Sequence, residues 1–342
     1  MREVVVAVDA MGGDRAPDEI VAGALAAAEE LDVGIVLVGQ EEAVTAVLPD
    51  PRPPRVELLN ASEVIGMHDD PAAGVRRKKD SSLVRCAEAV RDGRAHAMVS
   101  AGNTGATMGA ALLRMGRIKG VARPAIAAPI PVPGGTPTVF LDAGATVDCS
   151  PEWLVQFARM GAEYARIRYG IDAPRVGLLS NGEEPGKGDE LRKQAHPLFE
   201  AHVPGFLGNV EGRDVMTDAV DVVVTDGFTG NVALKAFEGS LKMFVNLVFG
   251  VLGSSDEAKQ AAEVITPALL EAAADLDPDS TGGAMLLGVD GVCVISHGSS
   301  SARAIVNAVR VAADSVDAGI VGRLREALGK ETRPMEASAD AG

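Results

Sequence analysis

A run of apolar residues near the amino terminus leads directly into an acidic, glycine-rich turn, and this junction constrains the fold more than any other segment. Residues 4–8 are apolar and mostly β-branched, which is typical of a strand buried on both faces, as in a parallel sheet. Pro17 suits the first turn of the next helix, whose positive end favours Asp18 and Glu19. The turn at 9–14 therefore connects a strand to a helix, where α/β folds bind ligands.

The composition is typical of helices packed on an aliphatic sheet. Of the 342 residues, 47% are hydrophobic and 3% are aromatic, with abundant Ala, Val and Gly. This length allows two domains or one large α/β unit. The net charge of −16 argues against a nucleic acid as the partner.

The sequence also bears on the cellular compartment. No apolar run approaches the length of a bilayer-spanning helix, and no apolar stretch follows the initial Met-Arg-Glu, so we expect neither a membrane span nor a signal peptide. The cysteines at 86, 149 and 293 form neither a disulfide framework nor a metal-ligand pattern, which fits a reducing compartment. We therefore expect a cytoplasmic protein without a bound metal.

Strand-like and helix-like segments alternate along the chain. After the strand at 4–8, the predicted strands are 33–39, 55–59, 95–100, 125–132, 137–142, 175–180, 220–225 and 290–296. The predicted helices include 18–31, 82–92, 151–169 and 299–313. This alternation predicts an α/β fold with three layers, α/β/α, and a mainly parallel sheet.

The domain organisation follows from the same alternation. We expect a single catalytic unit over 1–330, built either as one body or as two lobes that share one cleft. If there are two lobes, the chain is expected to cross between them near 115–125 and 275–285. The polar segment 331–342 is predicted to be a disordered tail.

Three further Gly/Asn/Asp turns, at 100–106, 141–145 and 225–231, follow predicted strands. Exposed backbone N–H groups with small side chains make a ready anion site, although Gly and Asn also serve turns for backbone reasons alone. Four such turns at one strand end favour a ligand site. The predicted phosphate- or substrate-binding residues are Gly12, Gly13, Asp14, Asn103, Thr104, Gly105, Asp142, Asp226, Thr229 and Gly230. Because carboxylates repel a phosphate dianion, we assign the acidic residues to orienting donors.

Three side chains near these turns are candidates for catalysis. Lys187 stands in a glycine-flanked loop after a predicted strand, and a solvated surface lysine is the alternative. Asn231 ends the last of the four turns and can donate to phosphate or to an oxyanion. His297 stands at a strand end and can donate likewise, with a structural histidine as the alternative.

Nucleotide and nucleophile motifs are missing from the sequence. No Gly-x-Gly-x-x-Gly follows a predicted strand, and the loop at 182–188 has one residue too few for a P-loop. No Gly-x-Ser-x-Gly elbow occurs, so we expect Ser299 or Ser300 to cap a helix. Cys293 lies inside an apolar strand and is expected to be inert. We therefore expect no cofactor.

Two dense basic clusters stand out in this acidic chain. The first cluster is Arg76, Arg77, Lys78 and Lys79, and the second is Arg114, Arg117, Lys119 and Arg123. A solvated charge run is the ordinary interpretation, but clustered cations in an acidic protein also suit an anionic partner. Both clusters flank the turn at 100–106 in sequence, so we predict that they line the mouth of the site.

Apolar residues follow helical spacing between 234 and 252. This stripe includes Phe237, Phe244 and Phe249, which are three of the eight phenylalanines. A core helix is one interpretation. A dimer contact or a reversible seat on a membrane surface is the other.

Seven segments, in order, closely resemble the bacterial phosphate acyltransferases of phospholipid synthesis. They are Val-Asp-Ala-Met-Gly-Gly-Asp-x-Ala-Pro at 8–17, Arg-Arg-Lys-Lys-Asp-Ser-Ser at 76–82, Ser-Ala-Gly-Asn-Thr-Gly-Ala at 100–106, Gly-Arg-Ile-Lys-Gly at 116–120, Arg-Val-Gly-Leu-Leu at 175–179, Val-Val-Thr-Asp-Gly-Phe-Thr-Gly-Asn-Val at 223–232 and Ser-His-Gly-Ser-Ser at 296–300. The resemblance covers almost the whole chain. One departure is the loop at 180–186, whose amino-acid sequence differs from that of relatives. This difference bears on the geometry around Lys187.

The resemblance implies a function and partners. Members of this family transfer a fatty acyl group from acyl carrier protein to inorganic phosphate, giving acyl phosphate for the membrane-bound glycerol-3-phosphate acyltransferase. It also implies a fold similar to phosphotransacetylases and isocitrate dehydrogenases, a homodimer, and association with the membrane periphery. Two alternatives are a short-chain phosphotransacetylase that uses acyl-coenzyme A and a non-catalytic membrane scaffold. Because acyl carrier protein is acidic, its docking is assigned to the two basic clusters.

Overall fold

The strands and helices alternate through the part of the chain that the structure, a computed structural model, describes, which is residues 3–273 and 278–329. The predicted tail at 331–342 lies outside these residues. The strands are β1 (Val5–Asp9), β2 (Gly34–Gly39), β3 (Val56–Asn60), β4 (Ala97–Ser100), β5 (Ala125–Ile130), β6 (Thr138–Leu141), β7 (Val176–Leu179), β8 (Phe206–Val210), β9 (Val222–Val224), β10 (Ala284–Leu287) and β11 (Val292–Ile295).

Helices connect most of these strands. They are α1 (Asp18–Glu30), α2 (Glu41–Val47), α3 (Pro71–Arg77), α4 (Ser82–Arg91), α5 (Thr104–Arg114), α6 (Pro151–Tyr169), α7 (Glu190–His202), α8 (Gly227–Leu252), α9 (Asp256–Ala273), α10 (Pro278–Thr281), α11 (Ala302–Asp317) and α12 (Ile320–Gly329). A 3₁₀ turn over Gly212–Met216 precedes β9.

All the strands join one sheet, in the order β3-β2-β1-β4-β11-β10-β5-β6-β9-β7-β8. Seven of the ten neighbouring pairs are parallel, and the three antiparallel pairs involve β10 and β5 at the centre. The predicted α/β fold with a mainly parallel sheet is therefore confirmed.

The antiparallel pairs divide the sheet into two halves that run in opposite directions. β1, β2, β3, β4 and β11 share one direction, and β6, β7, β8 and β9 share the reverse one. The reversal follows from three successive antiparallel steps, from β11 to β10, to β5 and to β6. The carboxyl ends of the two halves therefore lie at opposite edges of the sheet.

Both faces of the sheet are covered, and the alternation of side chains along β1 shows how. Val6 and Val8 enter a core on one face with α1, α6 and α11, whereas Ala7 enters a core on the other face with α4 and α5. Each of these three side chains is fully buried. A continuous apolar run such as residues 4–8 is therefore needed, because both faces of β1 are covered.

The structure extends and corrects the sequence-based secondary structure. β8 and β10 are strands that the sequence did not predict, since the first contains Gly and Asn and the second follows Gly282 and Gly283. The last long helix begins at Ala302, and its cap is Ser301, whose hydroxyl accepts the N–H of Ala304 at 3.3 Å. The predicted cap at Ser299 or Ser300 is therefore wrong by one or two residues.

The long helix α8 continues past the core. Near its start Phe237 packs edge-on against the core residue Phe140, with ring centroids 6.2 Å apart. Further along, Met243, Phe244 and Leu247 are all more than 60% exposed. The core-helix interpretation thus holds for the first part of the stripe alone. Within the described residues, no helix has both the length and the apolar character needed to cross a bilayer.

Candidate functional site

The four glycine-rich turns fall into two groups, and this corrects the prediction that they share one strand end. The turns at 9–14 and 100–106 follow β1 and β4, and together with 296–300 after β11 they form the Asp9 group. The turns at 141–146 and 225–231 follow β6 and β9, and together with the loop at 180–189 after β7 they form the Asp142 group. Because the two halves of the sheet run in opposite directions, the groups lie at opposite edges.

Asp142 is the centre of its group. Its fully buried carboxylate accepts four backbone N–H groups, from Ile126 at 2.9 Å, Gly144 at 3.1 Å, Ala145 at 2.9 Å and Thr146 at 2.6 Å. Burial raises the pKa of Asp142 to about 6, and the four hydrogen bonds oppose this rise. The carboxylate therefore holds the turn in shape from inside and is not available to contact a ligand.

The first turn of α8 packs directly on this Asp142 turn. A Cβ on Gly230 would overlap the carbonyl oxygen of Asp142, and one on Gly227 would lie 2.7 Å from its carboxylate. Asp226 caps the helix by accepting the Thr229 N–H at 2.8 Å. Glycine is thus required at both positions, because the helix start meets the turn too closely for a side chain.

Asn231 and Lys187 both belong to the Asp142 group. The exposed side chain of Asn231 lies against Gly144, because a Cβ on that glycine would be 3.5–3.6 Å from its atoms. Lys187 is exposed, and its stem folds over Gly182. The backbone around Lys187 is fixed by its own N–H bond to Glu184 O at 2.9 Å and by the Gly188 N–H bond to Asn181 Oδ1 at 2.8 Å.

Arg192 is a residue of this group that sequence reasoning missed. It is 6% exposed and makes ion pairs with Asp189 and Asp226, and it also donates to Thr225 Oγ1 at 2.6 Å. The signal available in the sequence was weak, since Asp189 and Arg192 show the ordinary spacing of a helical ion pair. The hydrogen bonds and the ion pair with Arg192 hold the pKa of Asp226 below its usual value, although partial burial opposes this.

The elevated pKa of Asp142 predicts a pH dependence of stability. The pKa of Asp142 is higher in the folded protein than the ordinary 3.8 of an aspartate. Its contribution to the free energy of unfolding is therefore fully present below pH 3.8, and it is lost as the pH rises through about 6. A rise in the pKa of Asp142 from 3.8 to about 6 corresponds to about 3 kcal/mol of stability. We expect the free energy of unfolding of the wild type, relative to Asp142→Asn, to fall by that order between pH 4 and 7 in urea titrations. A difference that is flat or rises with pH would contradict this account.

The Asp9 group is held by a second buried carboxylate. Asp9 accepts the Ser100 hydroxyl at 2.8 Å and the Met11 N–H at 3.3 Å, and Ser100 Oγ in turn accepts the Gly102 N–H at 3.0 Å. Burial raises the pKa of Asp9 above its ordinary value, against the effect of these hydrogen bonds. A Cβ on Gly12 would meet both Asp9 and Gly102, so the two turns touch where this glycine stands.

The other predicted residues of the Asp9 group have varied surroundings. Asn103 caps α5 by accepting the Ala106 N–H at 3.0 Å, and its Nδ2 donates to Met67 O at 2.9 Å and to Asp69 O at 3.3 Å. This side chain is therefore fully engaged within the protein. Gly13 adopts a φ of +106°, while Asp14 and Thr104 are exposed, and Gly105 packs on Pro71.

His297 lies in the Asp9 group and not beside Lys187 or Asn231. Its imidazole is exposed, and Nδ1 shares a hydrogen bond of 2.8 Å with Ser299 Oγ. Among the hydrogen bonds of residues 3–273 and 278–329, none joins this histidine to the Asp142 group. The structure thus places two of the three predicted catalytic residues, Lys187 and Asn231, at the same edge of the sheet, and His297 at the other.

The first basic cluster adjoins the Asp9 group. It lies at the end of α3, which packs against α5 beside the turn at 100–106. Lys78 is engaged with Asp69 at 2.6 Å and with Val64 O at 2.7 Å. Arg76, Arg77 and Lys79 are exposed, and no ion pair involves them within the described chain.

The second basic cluster lies at the opposite edge from the turn at 100–106, although both clusters flank that turn in sequence, which differs from the prediction that both line the mouth of one site. The helix α5 carries the chain back across the sheet, and the backbone at Arg117 then pairs with Val289 beyond the end of β10. Arg114 forms an ion pair with Glu88 at 3.4 Å, and the Arg123 guanidinium stacks 4.6 Å from the Trp153 ring. The exposed Lys119 belongs to the same segment.

Acidic, histidine and cysteine side chains can hold a metal ion where at least three of them lie close together. Nowhere in the described ranges do three of them come close enough together to hold a metal ion. The exposed polar side chains of the two groups of turns include a lysine, Lys187, an asparagine, Asn231, and a histidine, His297. Such groups can hold an anion and stabilise negative charge that develops on a carbonyl oxygen.

Comparison with known proteins decides the family. The profile of the family described as "Fatty acid synthesis protein" matches residues 4–323. A phosphate acyltransferase from Pelotomaculum thermopropionicum is 49% identical over 324 residues, which are 94% of either chain. The chain belongs to the phosphate acyltransferase family. A member from Leptospira biflexa is 45% identical over 95% of this chain and 97% of its own.

Solved structures agree on the fold of this family member. A phosphotransacetylase from Streptococcus pyogenes superposes with a TM-score of 0.62 at 17% identity, covering 92% of this chain and 94% of the other. A branched-chain phosphotransacylase from Enterococcus faecalis gives a TM-score of 0.58 at 14% identity, over 92% and 99% of the two chains. The predicted likeness to phosphotransacetylases is therefore confirmed at the level of fold, and family members are acyltransferases.

Proposed function

We propose that this acyltransferase moves a fatty acyl group from acyl carrier protein to inorganic phosphate, releasing acyl phosphate and the free carrier thiol. The proposal extends the name that its relatives carry, phosphate acyltransferase. The observation that supports it best is the Asp142 group, in which Lys187 and Asn231 follow the neighbouring strands β7 and β9, and Asn231 lies against a turn fixed by a buried carboxylate.

Transfer of an acyl group from a thioester to phosphate makes few chemical demands on the enzyme. Phosphate, with a second pKa of about 6–7, is largely a dianion at neutral pH and needs little help from a base. The leaving group of a thioester is a thiol with a pKa of about 8.5 by analogy with cysteine. The remaining task is to hold phosphate against the thioester carbonyl and to stabilise the oxyanion.

In this proposal Lys187 and Asn231 are the side chains that contact phosphate or the oxyanion. Both are exposed at the Asp142 group, whereas Asp142 and Asp226 turn inward and accept N–H groups from the turns. This arrangement suits an anionic ligand, because the carboxylates accept hydrogen bonds from protein N–H groups, whereas the exposed side chains of the group are a cation and an amide. The role of His297 as a further donor stays a prediction.

The test compares substrates under matched conditions. The assay contains the fatty acyl thioester of acyl carrier protein, phosphate and a chelator. We expect the rate of thiol release to rise with phosphate concentration and then to saturate. Release that ignores phosphate would indicate a thioesterase and defeat the proposal. A higher rate with acetyl-coenzyme A would favour the short-chain alternative, and lack of any turnover would favour a scaffold.

The exposed hairpin of α8 and α9 supports two further parts of the proposal. Its apolar side chains include Phe244, Leu247 and Val264, which are 61%, 62% and 80% exposed. Such a surface suits a homodimer contact or peripheral membrane association. We propose that it serves these purposes and so keeps the product near the membrane-bound glycerol-3-phosphate acyltransferase.

Docking of the acidic carrier protein is assigned to the basic clusters, and the first gives a direct prediction. Arg76 and Arg77 are exposed and outside any ion pair described for the chain, so reversing both to Glu should raise KM for the carrier about tenfold. KM for phosphate should stay unchanged. The control is reversal of Arg52 and Arg94, the same change of charge elsewhere on the surface. A rise in the phosphate KM instead would assign the cluster to the active site.

A further inference from the structure

The buried arginine of the Asp142 group connects segments that are far apart in sequence. Arg192 lies on α7, with its side chain 7% exposed. Its Nε donates to Leu179 O at 3.3 Å, and its Nη1 donates to Asp189 at 2.8 Å. Its Nη2 reaches Thr225, Asp226 and Thr229.

These partners belong to two different loops. Leu179 and Asp189 bracket the loop that carries Lys187, whereas Thr225, Asp226 and Thr229 belong to the turn that leads to Asn231. Gly188, the neighbour of Lys187, also packs on the Arg192 side chain, since a Cβ there would meet it. One guanidinium is thus bonded to both loops at once.

We propose that Arg192 is a positioning residue that sets the separation between Lys187 and Asn231. This inference rests on the proposed function, in which those two side chains contact phosphate or the oxyanion. The planar guanidinium presents five N–H donors in a fixed fork, and here they point at both loops. A lysine at this position keeps the charge but cannot bond both loops in the same geometry.

The environment of Arg192 fits this role. Both Arg192 and Asp226 are buried, and both hydroxyls of the neighbouring threonines are directed to them. A fully bonded network of this kind has one low-energy arrangement. The loops therefore have a fixed spacing before any substrate arrives, which is what catalysis by oriented donors requires.

The test is a double-mutant cycle on phosphate-dependent thiol release, with Arg192→Lys, Lys187→Ala and the double variant. In the wild-type background Arg192→Lys should lower kcat by about 10–100-fold, because misplacing a catalytic group by about 1 Å can cost about 10²-fold. In the Lys187→Ala background the same change should cost less than about threefold, because one of the two groups whose separation Arg192 sets is gone. Arg175→Lys is the matched control, since Arg175 binds Asp218 and Asp221 at the other end of β7.

Each outcome decides the matter. An equal loss in both backgrounds, or a loss matched by Arg175→Lys, would show a merely structural role and overturn the inference. An unchanged kcat in Arg192→Lys would overturn it too, while leaving the proposed function intact. Wild-type release that ignores phosphate would instead remove the proposed function and this inference together. Thermal unfolding of each variant confirms that the rates are measured on folded protein.

Discussion

Replacing Lys187 or Asn231 by alanine is expected to lower the phosphate-dependent rate of acyl transfer by about 10²–10³-fold, the usual loss when one preorganised donor is removed. Both side chains are exposed at the Asp142 group, so their removal leaves no buried partner unsatisfied. The fold should therefore survive, and circular dichroism and thermal unfolding should match the wild type.

The control for Lys187→Ala is Lys193→Ala. Lys193 is an exposed lysine on the adjoining helix α7, six residues along the chain, and its removal should leave the rate within about twofold. The rates are measured at saturating carrier substrate over a series of phosphate concentrations. Wild-type turnover in folded Lys187→Ala and Asn231→Ala would refute both assigned roles.

Gly230→Ala is expected to give the second large effect, on stability and activity together. The added Cβ would overlap the carbonyl oxygen of Asp142, which is backbone and cannot swing aside. The start of α8 must therefore move away from the Asp142 turn, at a cost of about 3 kcal/mol, in the upper part of the range for overpacking. Since Asn231 moves with the helix, the rate should fall by about 10²-fold.

The matched control lies on the same helix. Gly239 has open space where a Cβ would stand, so Gly239→Ala should raise the free energy of unfolding by about 0.5–1 kcal/mol through helix propensity. The two variants differ in position but not in chemistry. Equal stability and activity of Gly230→Ala and Gly239→Ala would contradict the packing described for the start of α8.

The sequence predicted the elements well where a local signal is strong. The helix beginning at Pro151 was predicted over 151–169 and is found as Pro151–Tyr169, because Ser150 and Pro151 mark its start and Gly170 with a φ of +67° ends it. The strand at 4–8 was predicted from its continuous apolar run, which both faces of the sheet require. These signals are local, so one sequence suffices to find them.

Local sequence signals do not show at which edge of the sheet each turn lies. The turns at 100–106 and 225–231 look alike in sequence, yet they lie at opposite edges because β10 and β5 reverse the direction of half the sheet. β10 itself was not predicted, and without it the reversal cannot be deduced. Without that reversal, the sequence predicts His297 beside Lys187 and both basic clusters at the mouth of one site.

Arg192 was missed for a different physical reason. In the sequence it is one of many charged residues on an amphipathic helix, where an exposed arginine is the ordinary expectation. Its burial becomes evident only when Asp226 and Thr225, more than thirty residues away, come into contact with it. Such long-range polar contacts are specified by tertiary structure and leave no periodic pattern.

The central claim is that phosphate is the acceptor of the acyl group. Trapping with hydroxylamine tests it most directly, once all protein, including the unreacted acyl thioester of the carrier, has been removed, because that thioester would also react. In the protein-free sample an acyl phosphate gives an acyl hydroxamate, whereas a free fatty acid does not. With acylated carrier protein and phosphate, quenched and protein-free samples of the wild type should yield hydroxamate in a one-to-one ratio with the carrier thiol released before the quench. Thiol release accompanied by free fatty acid, with hydroxamate no higher than in a phosphate-free control, would contradict the account.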